Sequence, residues 1–139
     1  KEARTVRDAT YLAHVDPPTT TLQAARVAFA REAELWRPVA RNHAEVKPRL
    51  DRWLRECAAI ESTVPAHGII AFPRVKGVAD TRALCDHLVR EQLVDVVPGE
   101  FFGRAGHVRV GCGVPLGQLE EGLARFERGV RDFTARARS

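Results

Sequence analysis

The sequence predicts an α+β fold: a small antiparallel or mixed sheet of about three strands covered by long helices, a two-layer sandwich. Three observations predict it. Long stretches with apolar residues at three- and four-residue steps occupy the N-terminal half and the C-terminal end. Short apolar runs at Ile69–Phe72, Val94–Val97 and His107–Cys112 lie between them. Proline and glycine punctuate those runs, so the element order is helices, strand, helix, strand, strand, helix, which suits helices laid on one small sheet.

Residues 1–15 have helical character, with Val6, Thr10 and Val15 spaced along them, and Asp16-Pro17-Pro18 breaks the pattern. Asp16 and Thr19–Thr21 offer N-caps for the next helix. From about Leu22 that helix carries Leu22, Ala25, Phe29, Ala33 and Trp36 on one side, and Pro38 is expected to kink or end it. A second helical segment places Val39, His43, Val46, Leu50, Trp53, Leu54, Cys57 and Ile60 together. Pro48 lies inside it and implies either a bend or a different boundary. Trp36 and Trp53 are expected to be core anchors. Asp80 is a candidate N-cap for a helix holding Leu84, Leu88 and Val89.

The last helix has the clearest period. After Pro115, residues Leu116, Leu119, Leu123, Phe126, Val130 and Phe133 recur at steps of 3, 4, 3, 4 and 3. Glu121 to Arg125 and Glu127 to Arg131 are acid-before-base pairs at four-residue spacing.

The 139 residues suit one domain, or a small domain plus a tail, and 45% hydrophobic with 29% charged residues is ordinary for a soluble globular protein. No apolar run is long enough to span a bilayer, and no apolar segment follows the charged N-terminus as in a secretory signal. The net charge of +4 permits anionic partners. The basic residues are mixed with acids along the helices, without the aromatic-interleaved stripe of a nucleic-acid binder. Neither nucleic acid nor a membrane is an expected partner. Cys57, Cys85 and Cys112 are odd in number, contain no Cys-x-x-Cys pair and read as free thiols in a reducing cytosol. His43 and His87 lie near two of them, yet nothing at ligand spacing completes a zinc site. The chain lacks methionine and opens as Lys1-Glu2-Ala3-Arg4, from which an excised fragment is expected.

Arg109 is the best single candidate for chemistry. Strand geometry puts Val108 and Val110 on one face and His107 with Arg109 on the other. A guanidinium there presents a planar fork that matches a carboxylate with two parallel charge-assisted hydrogen bonds. A solvated arginine on an edge strand is the plain alternative. Before it, Gly99, Phe101, Phe102, Gly103 and Gly106 form a loop whose glycines permit turns and close approach. No Ser/His/Asp arrangement, P-loop or paired-carboxylate motif is present, and His67 and His107 lack partners for general base work. No catalytic or metal-binding residue is assigned.

Several segments occur in an order that resembles fold-type-I, class I/II pyridoxal-phosphate-dependent aminotransferases. Ala66-His67-Gly68-Ile69-Ile70-Ala71-Phe72-Pro73 resembles their Gly-Gly-x-x-x-x-Pro strand, with His67 where a glycine is usual. Pro98-Gly99-Glu100-Phe101-Phe102-Gly103 resembles their Pro-Gly-x-x-Phe-Gly loop, and His107-Val108-Arg109-Val110 the strand presenting the carboxylate-binding arginine. Leu116 to Phe133 resembles their final helix; Asp16-Pro17-Pro18 and Arg41-Asn42 fit as well.

The resemblance implies that residues 22–139 are the C-terminal small domain and residues 1–21 a remnant of the connection to a missing large domain. It implies a cytoplasmic, homodimeric parent enzyme with pyridoxal phosphate, acting on an amino acid and a 2-oxo acid, in which Arg109 binds the substrate α-carboxylate. Lys1, Lys47 and Lys76 match no Schiff-base motif, so this chain alone is expected to be inactive with no cofactor bound. A ligand-sensing aminotransferase-like domain of a transcription regulator and a stand-alone interaction module are the competing readings. Decarboxylases, lyases and acyl-transferring synthases share this architecture, so the reaction type stays open.

Overall fold

The computed structural model describes residues 18–137, so the helix expected over residues 1–15 and the cap expected at Asp16 lie outside the described residues. The chain divides into two compact units at Arg37 and Pro38.

The N-terminal unit contains α1 (Thr19–Ala30), which starts directly after Pro18 with no side-chain cap. The threonines therefore lie within its first turn instead of capping it. The fixed φ of proline, here −52°, suits that position. At Arg31 the helix is interrupted, and the Arg31 N–H is shared between the carbonyls of Val27 and Ala28 at 3.2 and 3.1 Å. α2 (Glu32–Glu56) begins at the next residue. The expected break at Pro38 is thus corrected, because α2 runs through both Pro38 and Pro48. Each proline removes one N–H donor, a local loss that the flanking helical bonds tolerate. Trp36 is also corrected: it is 59% exposed. No described residue between 18 and 37 is buried, so that ring has no core to enter.

In the second unit the C-terminal half of α2 buries Val46, Lys47, Leu50, Trp53 and Leu54. Trp53 anchors the core as expected, 4% exposed, with its ring edge-on to Phe126 at 5.6 Å. Its indole N–H donates to the Glu127 carboxylate at 2.8 Å. That bond occupies Glu127, and no Glu127–Arg131 ion pair forms; Glu121 and Arg125 do pair, at 2.5 Å.

Two small antiparallel sheets follow. β1 (Ile60–Glu61) pairs with β3 (Arg74–Val75). β2 (Ile70–Ala71), β5 (Val108–Gly111) and β4 (Val97–Pro98) form a three-stranded sheet in the order β2-β5-β4. An isolated bridge between Arg74 and His107 links the two. The expected strand at Val94–Val97 contracts to Val97–Pro98. α3 (Thr81–His87) continues into a π-helical turn at Leu88–Gln92, which closes on Leu93 in the left-handed region (φ 54°). Residues 93–96 are consumed in redirecting the chain, and the Val94 N–H bonds back to Leu88.

α4 (Leu116–Arg136) occupies the position its periodicity predicts, burying Leu119, Leu123, Phe126 and Val130. These side chains join Leu50, Leu54, Leu84 and Leu88 from the other helices and Ala71, Val75, Val108 and Val110 from the strands in one core. The α+β architecture is therefore as predicted. No helix among the described residues is long and apolar enough to cross a membrane.

Candidate functional site

β5 is the central strand, and its burial alternates: Val108 and Val110 face the core while Arg109 and Gly111 are exposed. Register pairs Arg109 with Val97 and Gly111 with Ile70, so Val97 and Ile70 share the exposed face with the arginine. β5 is therefore not the edge strand of the plain alternative, although the arginine on it is exposed to solvent. Among the described residues the guanidinium has no ion pair and no hydrogen bond. It lies over the Phe102 ring, 5.6 Å from the centroid.

The loop that delivers Phe102 is fastened at several points. Gly99–Phe102 forms one 3-10 turn, closed by Gly103 at φ 68°, a conformation that glycine adopts without strain. Gly99 donates to the His107 carbonyl at 2.7 Å, and Arg104 donates back to the Gly99 carbonyl at 2.9 Å. A Cβ on Gly99 would stand 2.1 Å from the Arg104 carbonyl oxygen and 2.5 Å from that of His107, so no side chain fits. The Glu100 carboxylate accepts the buried Thr81 N–H at 3.0 Å and also the Thr81 hydroxyl. Partial burial alone would raise the Glu100 pKa; the bonds from Thr81 and the nearby Arg82 outweigh it and hold the carboxyl below its ordinary value. Asp80 accepts from the Ala83 N–H at 3.0 Å, confirming the predicted N-cap.

Three aromatic rings stand beside Arg109. Phe72, just after β2, meets Phe102 edge to face at 5.7 Å and stacks on His107 at 5.2 Å. His107 Nδ1 lies 3.1 Å from the Ala105 carbonyl, which orients that ring. Phe72 and Phe102 are nonetheless 37% and 48% exposed. An aromatic surface surrounding one unpaired cation is thus open on this face. Arg82 makes a second cation–π contact in the same loop, over Phe101 at 5.2 Å. His67 is exposed in the turn before β2, and no interaction ties it to this cluster.

A concavity of about 300 Å³ lies elsewhere, between residues 93–96 and the N-terminal half of α4, and Arg109 does not line it. The cysteines are free and buried. Burial, reinforced by Glu100, Asp95 and Asp86, pushes the Cys85 thiol up to about 12; burial pushes Cys112 up to about 11 and raises Cys57 as well. Such thiols are protonated at neutral pH and are poor nucleophiles. Among the described residues no group of three or more histidine, cysteine or acidic side chains could hold a metal ion.

Sequence reasoning singled out Arg109 and its loop, which the fold brings together, but missed the Thr81–Glu100 tie and the Phe72–His107 stack. Each joins segments far apart in the chain or depends on an edge that only the fold creates. A signal for the first existed in the acid following Pro98-Gly99, without any indication of its partner.

Pyridoxal phosphate needs a lysine amine free to form an imine. Lys47 is buried and donates to both Asp51 oxygens at 2.5 and 2.6 Å, and Lys76 donates to the Ala58 carbonyl at 3.0 Å. Lys1 lies outside the described residues. The described residues do not fit covalent attachment of that cofactor.

No family model matches the chain. Capreomycidine synthase of Streptomyces vinaceus is 44% identical over 66 residues, which is 48% of this chain and 17% of that protein. Aromatic-amino-acid aminotransferase 2 of Thermococcus litoralis is 28% identical over 120 residues, 83% of this chain and 31% of that protein. The crystal structure of a PLP-dependent aminotransferase from Streptococcus suis superimposes with a TM-score of 0.76 at 25% identity, covering 91% of this chain and 34% of that one. The chain spans about a third or less of the length of the proteins it matches. Its fold and its sequence similarities are those of the pyridoxal-phosphate-dependent aminotransferases over a domain-sized stretch, consistent with their C-terminal small domain.

Proposed function

We propose that this chain acts as the C-terminal small domain of a pyridoxal-phosphate-dependent aminotransferase, and that Arg109 receives the α-carboxylate of the amino acid or 2-oxo acid. The observation that carries the reading is the unpaired Arg109 guanidinium on the central strand, set among exposed aromatic rings. A cation with no internal partner, on a face left uncovered by its own domain, is suited to an anion brought by a ligand. The domain's part is binding and orientation: its rigid strand fixes the arginine, and the arginine fixes one end of the substrate. The amine chemistry belongs to the large domain of the same polypeptide, in a homodimeric, cytoplasmic parent.

The test uses the longer polypeptide of which this domain is part. Purified with pyridoxal phosphate, it should convert amino acids to 2-oxo acids and leave the matching amines, which lack the α-carboxylate, essentially untouched. Equal turnover of amino acids and amines would contradict the carboxylate role; no 2-oxo acid from any amino acid would contradict the aminotransferase assignment.

A further inference from the structure

The guanidinium of Arg109 is held from below. Its central carbon lies over the Phe102 ring, 5.6 Å from the centroid, within the reach of a cation–π contact. None of its five N–H donors is hydrogen-bonded among the described residues, so the fork is open for a carboxylate. Phe102 is itself buttressed edge to face by Phe72, which stacks at an interplanar angle of 22° on His107. The row His107–Phe72–Phe102–Arg109 draws on the end of β2, the 3-10 turn and the start of β5. His107 immediately precedes β5 and Arg109 lies on it, two residues later, so the row begins and ends on one stretch of backbone.

We propose that Phe102 is a positioning residue for Arg109: its ring, braced by Phe72 and His107, restricts the guanidinium before the carboxylate arrives. This rests on the carboxylate reading above and deepens it. An exposed arginine side chain otherwise loses considerable rotamer freedom on binding. A ring already in contact with it removes part of that loss in advance, as preorganisation does generally. Phe101, the preceding residue, lies under Arg82 and therefore does not share this task.

The experiment has two arms. In the isolated chain, nuclear magnetic resonance should show the Arg109 Nε–H signal shifted by the ring current of Phe102. Phe102→Leu should abolish the shift and Phe102→Tyr should keep it. In the holoenzyme, Phe102→Leu should raise KM for the amino acid roughly two- to fivefold, the size of an exposed cation–π contact, with Phe102→Tyr near wild type. Beside Arg109→Lys, the Phe102→Leu penalty should shrink or vanish, because both changes act on one fork. An unshifted signal in the wild-type chain, or a Phe102→Leu penalty undiminished beside Arg109→Lys, overturns the proposal. If instead Arg109→Lys leaves KM unchanged while the ring-current shift is intact, the carboxylate reading fails and the ordering of Arg109 by Phe102 stands.

Discussion

The Glu100 carboxylate takes both the backbone N–H and the hydroxyl of Thr81, 19 residues earlier, and so ties the arginine loop to the first turn of α3. This bond gives the site a pH dependence. The folded-state pKa of Glu100 is depressed below its ordinary value of 4.5, so its contribution to stability is present above that value and lost as pH falls through the folded value. Glu100→Gln should cost about 1 kcal/mol at pH 7, a part-buried charge-assisted bond being worth less than a fully buried one. The gap between variant and wild type should narrow once the carboxyl protonates. Urea denaturation of both at pH 7 and at pH 3 measures it; a gap that widens on acidification contradicts the assignment.

Gly99 is enclosed by two carbonyl oxygens at distances no Cβ tolerates. Gly99→Ala should therefore destabilise the domain by roughly 1–3 kcal/mol and move the 3-10 turn, displacing Phe102 from beneath Arg109. Gly103→Ala has open space around it and meets only the strain of a positive φ, about 1 kcal/mol. Comparing the two midpoints separates closeness of packing from backbone conformation. Equal losses would mean that the Gly99 contacts relax freely.

The three thiols should be silent in the native protein. With Cys85 raised to about 12 and Cys112 to about 11, the thiolate fraction at pH 8 is minute, and burial blocks access besides. A chromogenic disulfide reagent should titrate essentially no cysteine in the folded chain and all of Cys57, Cys85 and Cys112 in urea. Rapid native labelling of Cys85 or Cys112 would contradict the packing around them.

Much of this was legible in the sequence, and the failures have physical causes. α4 could be placed from its period alone, because one apolar stripe against one core determines it. Asp80 could be read as a cap because the Asp80 bond to Ala83 is local. Arg109 could be assigned a face because Val108 and Val110 flank it. β1 and β3 were invisible, since strands of two residues have no period and exist only through their pairing. Trp36 was misread because apolar spacing reports a helix face without reporting whether anything covers it. Phe102 was recognised as part of the loop but not as a partner of Arg109, because that contact is a product of the Gly99 turn.

The most direct test of the carboxylate clamp replaces its geometry while keeping its charge. In the holoenzyme, Arg109→Lys should raise KM for the amino acid at least tenfold, about 1.4 kcal/mol, and lower kcat/KM further, because an ammonium cannot present two parallel donors to one carboxylate. The same KM and kcat as wild type would mean that Arg109 does not hold the substrate.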